Sequence, residues 1–266
     1  MSKIDFITVN WKTPDMVRVT YESIKKFVNL PFTFWGVNNG EQDDFNQLCD
    51  QFEGDKNVKV IKGVYQLNDS SIPGLKKDIG NPWIHTKYDR RKVHLASYAL
   101  AEGLKKGLLS GSSEYVSFIQ TDVVFLNEWT DDVLPMLEHN VFVSYAWRHD
   151  IDQANLPQWS IMKREIFQNN FFREDGDLYP NIHYKDTFGL FSLWVRDTNQ
   201  NYHICENSLN DKSLKDKHIL DLPHGEQGWI NSKPFIYHYG RGTTRGEGLR
   251  KLWIETVENY LEDSDG

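Results

Sequence analysis

The chain has 266 residues, with 30 Lys and Arg against 38 Asp and Glu, a formal net charge of −8, and 39% hydrophobic residues. That balance describes a soluble globular protein and argues against a surface built throughout to clamp nucleic acid, which carries a basic footprint, although a local basic groove stays open. No apolar run approaches the ~20 residues that cross a bilayer, the first one is too short for a secretory leader, and the two cysteines have no disulfide or metal spacing, so a cytoplasmic protein is expected.

Residues 4–9 read as a strand, and Thr13-Pro14-Asp15 as a helix start with Thr at the cap and Pro in the first turn; that helix runs to about residue 27. A strand over 32–37, a helix over 43–52 and a strand over 58–61 complete β-α-β-α-β, the doubly wound pattern that binds nucleotides at its strand ends. No Gly-x-Gly-x-x-Gly follows the first strand and no Walker loop occurs, which argues against a dinucleotide-binding Rossmann domain and against a nucleotidyltransferase. Over 62–86 the periodicity is lost among Gly, Pro, Asn, Asp and Ser; a stretch this long is either a lid or a surface insertion. A helix over about 90–109 is expected next. Its start carries Lys87, Arg90, Arg91, Lys92 and His94, which either hold a diphosphate or form a solvated first turn.

The apolar run over 115–119 reads as a buried strand that ends in Gln120-Thr121-Asp122. Ligands of open α/β sheets lie outside the carboxyl ends of the strands, so Asp122 stands where a metal or phosphate would be; the alternative is a residue that closes a turn. A short helix over 130–137 has Asp131 and Asp132 in its first turn, where the helix dipole favours them. Strands are expected over 141–146, 159–163 and 233–239, and helices over 164–170, to about 195 after Tyr184-Lys185-Asp186-Thr187-Phe188, and over 249–261. A flexible basic segment over 240–248 carries Arg241 and Arg245.

Several of these stretches fall in a familiar order: Ile7-Thr8-Val9-Asn10-Trp11-Lys12-Thr13-Pro14-Asp15, Val37-Asn38-Asn39-Gly40, Ile119-Gln120-Thr121-Asp122-Val123 with Trp129 behind it, and Tyr237-His238-Tyr239-Gly240. Together they resemble the opening strand, nucleobase turn, metal-binding DxD motif and late valine-tyrosine-histidine strand of the GT-A glycosyltransferases, nearest to the large family-2 type of inverting enzymes. Gln120 stands in the place of the first Asp of that motif, so Asp122 alone carries over as its metal ligand. Residues 160–167 and Phe171-Phe172-Arg173-Glu174 resemble the family's later strand and its Gly-Phe-Asp-Glu stretch. Tyr184-Lys185-Asp186-Thr187 resembles its Glu-Asp pair, with Lys185 for the Glu and Asp186 for the catalytic Asp. The resemblance covers about the first 245 residues.

It implies one GT-A domain over 1–266, α/β with a central mostly parallel sheet flanked by helices, in which 1–125 bind the nucleotide sugar and 126–266 the acceptor. The implied activity is hexosyl or pentosyl transfer from a nucleoside-diphosphate donor, a UDP-sugar first, to a hydroxyl. Asp122 and His238 would hold a divalent cation, for which an oxygen and an imidazole suit Mn2+, with Mg2+ also open. Asp186 would be the general base. Thr8, Asn10 and Asn39 would line the base pocket, Thr121 would touch the donor, and Arg90, Arg91, His94, Arg241 and Arg245 would face the diphosphate. Asp186 as a helix cap and His238 as a core histidine are the alternatives. The acceptor would be a glycan or lipid-linked glycan, or else a hydroxymethylated base in DNA, as in phage-type members working in a host cytoplasm. A catalytically silent sugar-binding domain is the reading from another class, suggested by Gln120 and Lys185.

Overall fold

The first strand, β1 (Ile4–Asn10), is buried along nearly its whole length, as a central strand covered on both faces must be. It lies in a computed structural model that describes residues 4–63, 76–77, 83–86, 89–148, 153–154, 157–166, 189–240 and 246–264. After β1 come α1 (Pro14–Phe27), β2 (Phe32–Asn38), α2 (Gln42–Gln51) and β3 (Val58–Lys62), the expected alternation. Then follow β4 (Lys76–Lys77), β5 (Trp83–Thr86), β6 (Asp89–His94), α3 (Leu95–Ser110), β7 (Tyr115–Ile119) and β8 (Val123–Phe125). The next part holds α4 (Thr130–Val133), a 3-10 turn (Leu134–Glu138), β9 (Phe142–Ser144), β10 (Trp147–Arg148), β11 (Gln153–Ala154) and β12 (Trp159–Lys163). The last part holds α5 (Gly189–Asp197), β13 (His203–Ile204), β14 (Glu206–Asn207), a 3-10 helix (Lys212–Lys217), β15 (Glu226–Ile230), β16 (Lys233–His238) and α6 (Glu247–Asp263).

Among the described residues the main sheet runs β13-β9-β12-β7-β1-β2-β3. Its strands are parallel except β12, which is antiparallel to both β7 and β9. One core packs Ile4 and Phe6 with α1, α6 and the second sheet; the other packs Ile7 and Val37 with α3 and α5. Two glycines let α3 sit close to the sheet. A Cβ at Gly103 would come within 2.8 Å of Val9 Cγ2, and one at Gly107 would collide with Ile7. The second sheet, β14-β15-β16-β8, is antiparallel throughout.

A buried ion pair closes the amino-terminal end of β1. Arg164 Nη2 donates to Asp5 Oδ2 at 2.5 Å, and its other nitrogens donate to the carbonyls of Ser113 (2.7 Å) and Leu108 (2.5 Å). Asp5 also accepts from the Trp35 indole (3.1 Å) and from the Ser113 amide and hydroxyl (2.9 Å each). The arginine thus joins α3, β7 and β12 to the first strand.

The expected bounds of α1, β7 and β12 are met, but the helix expected from residue 90 begins at Leu95. Residues 89–94 instead pair with β5, Ile84 opposite Val93, so strand pairing overrides the helical reading there; Arg90, Arg91 and Lys92 do not stand at a helix start, while His94 directly precedes α3. The helix expected over 130–137 ends at Val133 and tightens to 3-10, because Pro135 has no N–H for the α-helical bond. The strand expected over 141–146 is shorter, Phe142–Ser144. Thr13 takes the cap position of α1 without a side-chain cap bond; Asn10 Oδ1 accepts the Thr13 amide at 3.0 Å instead. No helix among the described residues is long and apolar enough to cross a membrane.

Candidate active site

The chain leaves the main sheet at Ile119, turns through 120–122 and enters the second sheet at Val123. Asp122 therefore stands at the carboxyl ends of the parallel strands, and the turn that carries it is held from α1. The Thr20 hydroxyl lies 2.9 Å from the carbonyls of both Thr121 and Val123. Ser23 Oγ donates to Thr20 O at 2.7 Å and accepts the Phe125 amide at 3.0 Å. Thr121 Oγ1 is 3.3 Å from Thr13 Oγ1, and the Tyr239 amide donates to Asp122 O at 2.9 Å. These bonds fix the backbone of Asp122 from two sides.

Strand register brings two more side chains to it. In β16 His238 pairs with Val123 on one side and with Glu226 of β15 on the other. His238 Nε2 lies 3.6 Å from Asp122 Oδ1, and Nδ1 lies 3.1 Å from Glu226 Oε2. A carboxylate only accepts, so Nδ1 carries the proton shared with Glu226. At 3.6 Å the contact on the other side is too long for a good hydrogen bond. His238 Nε2 and the Asp122 oxygen then face each other, and the side chains of both residues are more than nine-tenths buried. A ring whose far N–H is fixed by a carboxylate is the usual setting of a metal-binding histidine.

Glu226 is the site residue that the sequence reading missed. Burial pushes its pKa up, but the hydrogen bond and charge of His238, then Tyr145 and Lys215, bring it below the ordinary value. Tyr145 Oη donates to the same oxygen at 3.4 Å, and burial followed by the Glu226 charge holds that phenol protonated, its pKa well above the ordinary one. Gly225 sets the approach to β15 with φ of 135°, where a Cβ would collide with Tyr237. The signal for all this in the sequence was slight: a His-Gly turn before a short apolar run.

Thr8, Asn10 and Asn39 lie together at or near the carboxyl ends of β1 and β2, but at 0, 0 and 2% exposure they form a floor beneath the strand ends. Asn10 Nδ2 donates to Asn38 Oδ1 at 2.7 Å, and Asn10 O accepts the Asn39 amide at 2.9 Å. Trp11, directly after this floor, is 43% exposed and was not singled out from the sequence; it is the large apolar surface on this edge. Lys12 beyond it takes a left-handed φ of 59° and pairs with Glu41. Arg90, Arg91 and His94 lie on β6, their side chains beyond what the structure describes. Asp186, Arg241 and Arg245 lie outside the described residues. Among the described residues no group of three or more His, Cys, Asp or Glu is arranged to hold a metal. The described residues thus bring one carboxylate oxygen and one imidazole nitrogen to the same space.

No protein-family model matches the chain, and no curated sequence matches it. Among solved structures it is similar to a mannosyltransferase from Pyrobaculum calidifontis in complex with GDP-Man and Mn2+, with a TM-score of 0.52 and 9% identity over 76% of this chain and 54% of that one. It is also similar to the galactosyltransferase LgtC in complex with donor and acceptor sugar analogues, with a TM-score of 0.50 and 11% identity over 98% of this chain and 95% of that one. The chain spans about half the length of the first and nearly all of the second. At such identities the likeness is one of architecture, and the chain has the GT-A fold that the sequence resemblance implied.

Proposed function

We propose that the chain is a glycosyltransferase that takes a sugar from a nucleoside-diphosphate donor, with a divalent cation held by Asp122 and His238. The observation that carries this is the facing pair of Asp122 Oδ1 and His238 Nε2 at the strand ends of a GT-A fold, with the ring fixed from behind by Glu226. One carboxylate oxygen and one imidazole nitrogen fit Mn2+ or Mg2+. In support, the mannosyltransferase is in complex with GDP-Man and Mn2+, and LgtC with donor and acceptor sugar analogues. Bound there, the cation supplies Lewis-acid neutralisation of the leaving diphosphate.

The chain's own residues bind and orient. Trp11 offers an indole face to the nucleobase, above the Asn10–Asn38 floor. Glu226 and Tyr145 hold the His238 tautomer, and the hydroxyls of Thr20 and Ser23 hold the Asp122 turn. Asp186 is assigned as the base that takes the proton of the acceptor hydroxyl, with 1–125 as the donor half and 126–266 as the acceptor half. A UDP-sugar is the first donor to try and a glycan or lipid-linked glycan the acceptor; the DNA acceptor gains no support from the comparisons. Calorimetric titration of UDP and GDP with and without Mn2+ tests the core of this. Metal-dependent binding of one nucleotide, weakened tenfold or more by Asp122→Ala, is expected; metal-independent binding that the variant leaves unchanged would refute it. Gln120 in the place of a second acid favours one rival, a silent sugar-binding domain, which would bind a nucleotide sugar and release no diphosphate.

A further inference from the structure

Glu226 also lines an open cavity of about 430 Å3, together with Tyr239 and Gly240 of the segment after His238. Glu226 meets His238 at Nδ1, and the Tyr239 amide donates to Asp122 O at 2.9 Å, so the cavity adjoins the Asp122–His238 pair without Asp122 on its walls. Its other walls include the 3-10 helix at 212–217 with Lys212 and Lys215, the loop at 222–225 with His224, and Ser208, Leu209 and His218.

The 3-10 geometry gives this cavity its charge. With three residues per turn, positions i and i+3 eclipse, so Lys212 and Lys215 stack on one face. Asp216, on another face, does not line the cavity, and Asp211 is used at the helix start, where it accepts the Ser213 amide at 2.9 Å and its hydroxyl at 2.7 Å. Neither lysine forms an ion pair among the described residues. An anion between two like charges on one face is held more strongly than by either charge alone. The field of Lys215 reaches its neighbours: the His218 pKa is lowered by burial and then by Lys215. The Glu226 charge, the one carboxylate on the walls, is engaged by His238 Nδ1 and the Tyr145 hydroxyl. On a chain of net charge −8, this is a basic basin beside the candidate catalytic pair.

We infer that the basin holds a phosphate group of the acceptor on Lys212 and Lys215, so that the donor's sugar is transferred to a hydroxyl of a phosphorylated acceptor; this rests on the glycosyltransferase reading above. Lysine suits the role as a point charge for phosphate.

The full-length chain is titrated calorimetrically with glycerol 3-phosphate, with glycerol as the neutral control, in saturating Mn2+ and nucleoside diphosphate. Wild type is compared with Lys212→Gln/Lys215→Gln and with Lys212→Arg/Lys215→Arg. Both lysines are exposed, so the variants fold, as a thermal melt verifies. Glycerol 3-phosphate is expected to bind and glycerol not. The Gln pair weakens that binding tenfold or more, the Arg pair restores it, and nucleoside-diphosphate affinity stays within twofold throughout. Absent binding in wild type, or equal binding in the Gln pair, overturns the inference. An equal loss of nucleoside-diphosphate affinity in the Gln pair also overturns it, by giving the basin to the donor. If no nucleoside diphosphate binds wild type, the glycosyltransferase reading fails, and the same titration without nucleotide still reports on the basin.

Discussion

Replacing Arg164 by methionine strands a carboxylate. The side chains of Asp5 and Arg164 are 2% and 8% exposed, and the guanidinium pKa is lowered by burial against the opposing pull of Asp5, so both charges sit out of water. Methionine fills the space but leaves the Asp5 carboxyl with only Trp35 and Ser113 as partners, and leaves the carbonyls of Ser113 and Leu108 without the arginine donors. Breaking such a pair from one side costs about 3–5 kcal/mol, a large part of the ~5–15 kcal/mol that holds a domain together. Adding Asp5→Asn removes the stranded charge, so the double variant should recover about 1–2 kcal/mol of that loss. Urea unfolding at pH 7, followed by tryptophan fluorescence and far-ultraviolet circular dichroism, measures all three variants. A single variant that costs less than about 1 kcal/mol, or a double variant that costs the sum of the singles, would refute the reasoning. The pair lies at the opposite end of β1 from the strand ends that carry the site, so nucleotide affinity of the folded variants should match wild type.

Glu226→Gln takes away the charge that fixes His238, and the Mn2+ concentration needed for nucleotide binding should rise about 10- to 100-fold with the circular dichroism spectrum unchanged; an unchanged Mn2+ requirement contradicts the assigned role. Gly107→Ala places a Cβ against Ile7 and should destabilise by about 1–3 kcal/mol. In α6, Gly248→Ala meets nothing within 4 Å and should be neutral or stabilising by up to ~1 kcal/mol; similar urea midpoints for the two would show that the close approach of α3 is not needed. Burial lowers the His203 pKa from its ordinary 6.5. The unfolded chain therefore takes up the proton first on acidification, and the contribution is full above pH 6.5 and is lost as the pH falls toward the lowered folded value. The urea midpoint should drop less between pH 7.5 and 5.5 in His203→Gln than in wild type, and equal drops would contradict it.

What could be read from the sequence was what periodicity and strand ends encode. The alternation through β3 and the bounds of α1, β7 and β12 followed from local pattern, because each buries a stripe or a face that its own residues define. Asp122 was legible as the polar end of a buried strand, and His238 as the end of another. Their meeting was expected only through the family resemblance and not from local pattern, since it depends on β8 changing sheets and on antiparallel register across more than a hundred residues. Glu226 stayed hidden for the same reason, on a strand whose partner β14 has two residues. Strand pairing with 83–86 likewise decided against a helix at 90, which no local signal could report. The polar residues Thr8, Asn10 and Asn39 were placed at the right end of the sheet, but their burial beneath the floor, with Trp11 left outside, is a matter of packing.

The most direct measurement is release of nucleoside diphosphate from a panel of nucleotide sugars, with and without Mn2+, for wild type and Asp122→Ala. The account predicts turnover of one donor that requires the metal and is abolished by the substitution. Turnover that persists without metal and in Asp122→Ala, or a panel from which no nucleoside diphosphate is released, would contradict it.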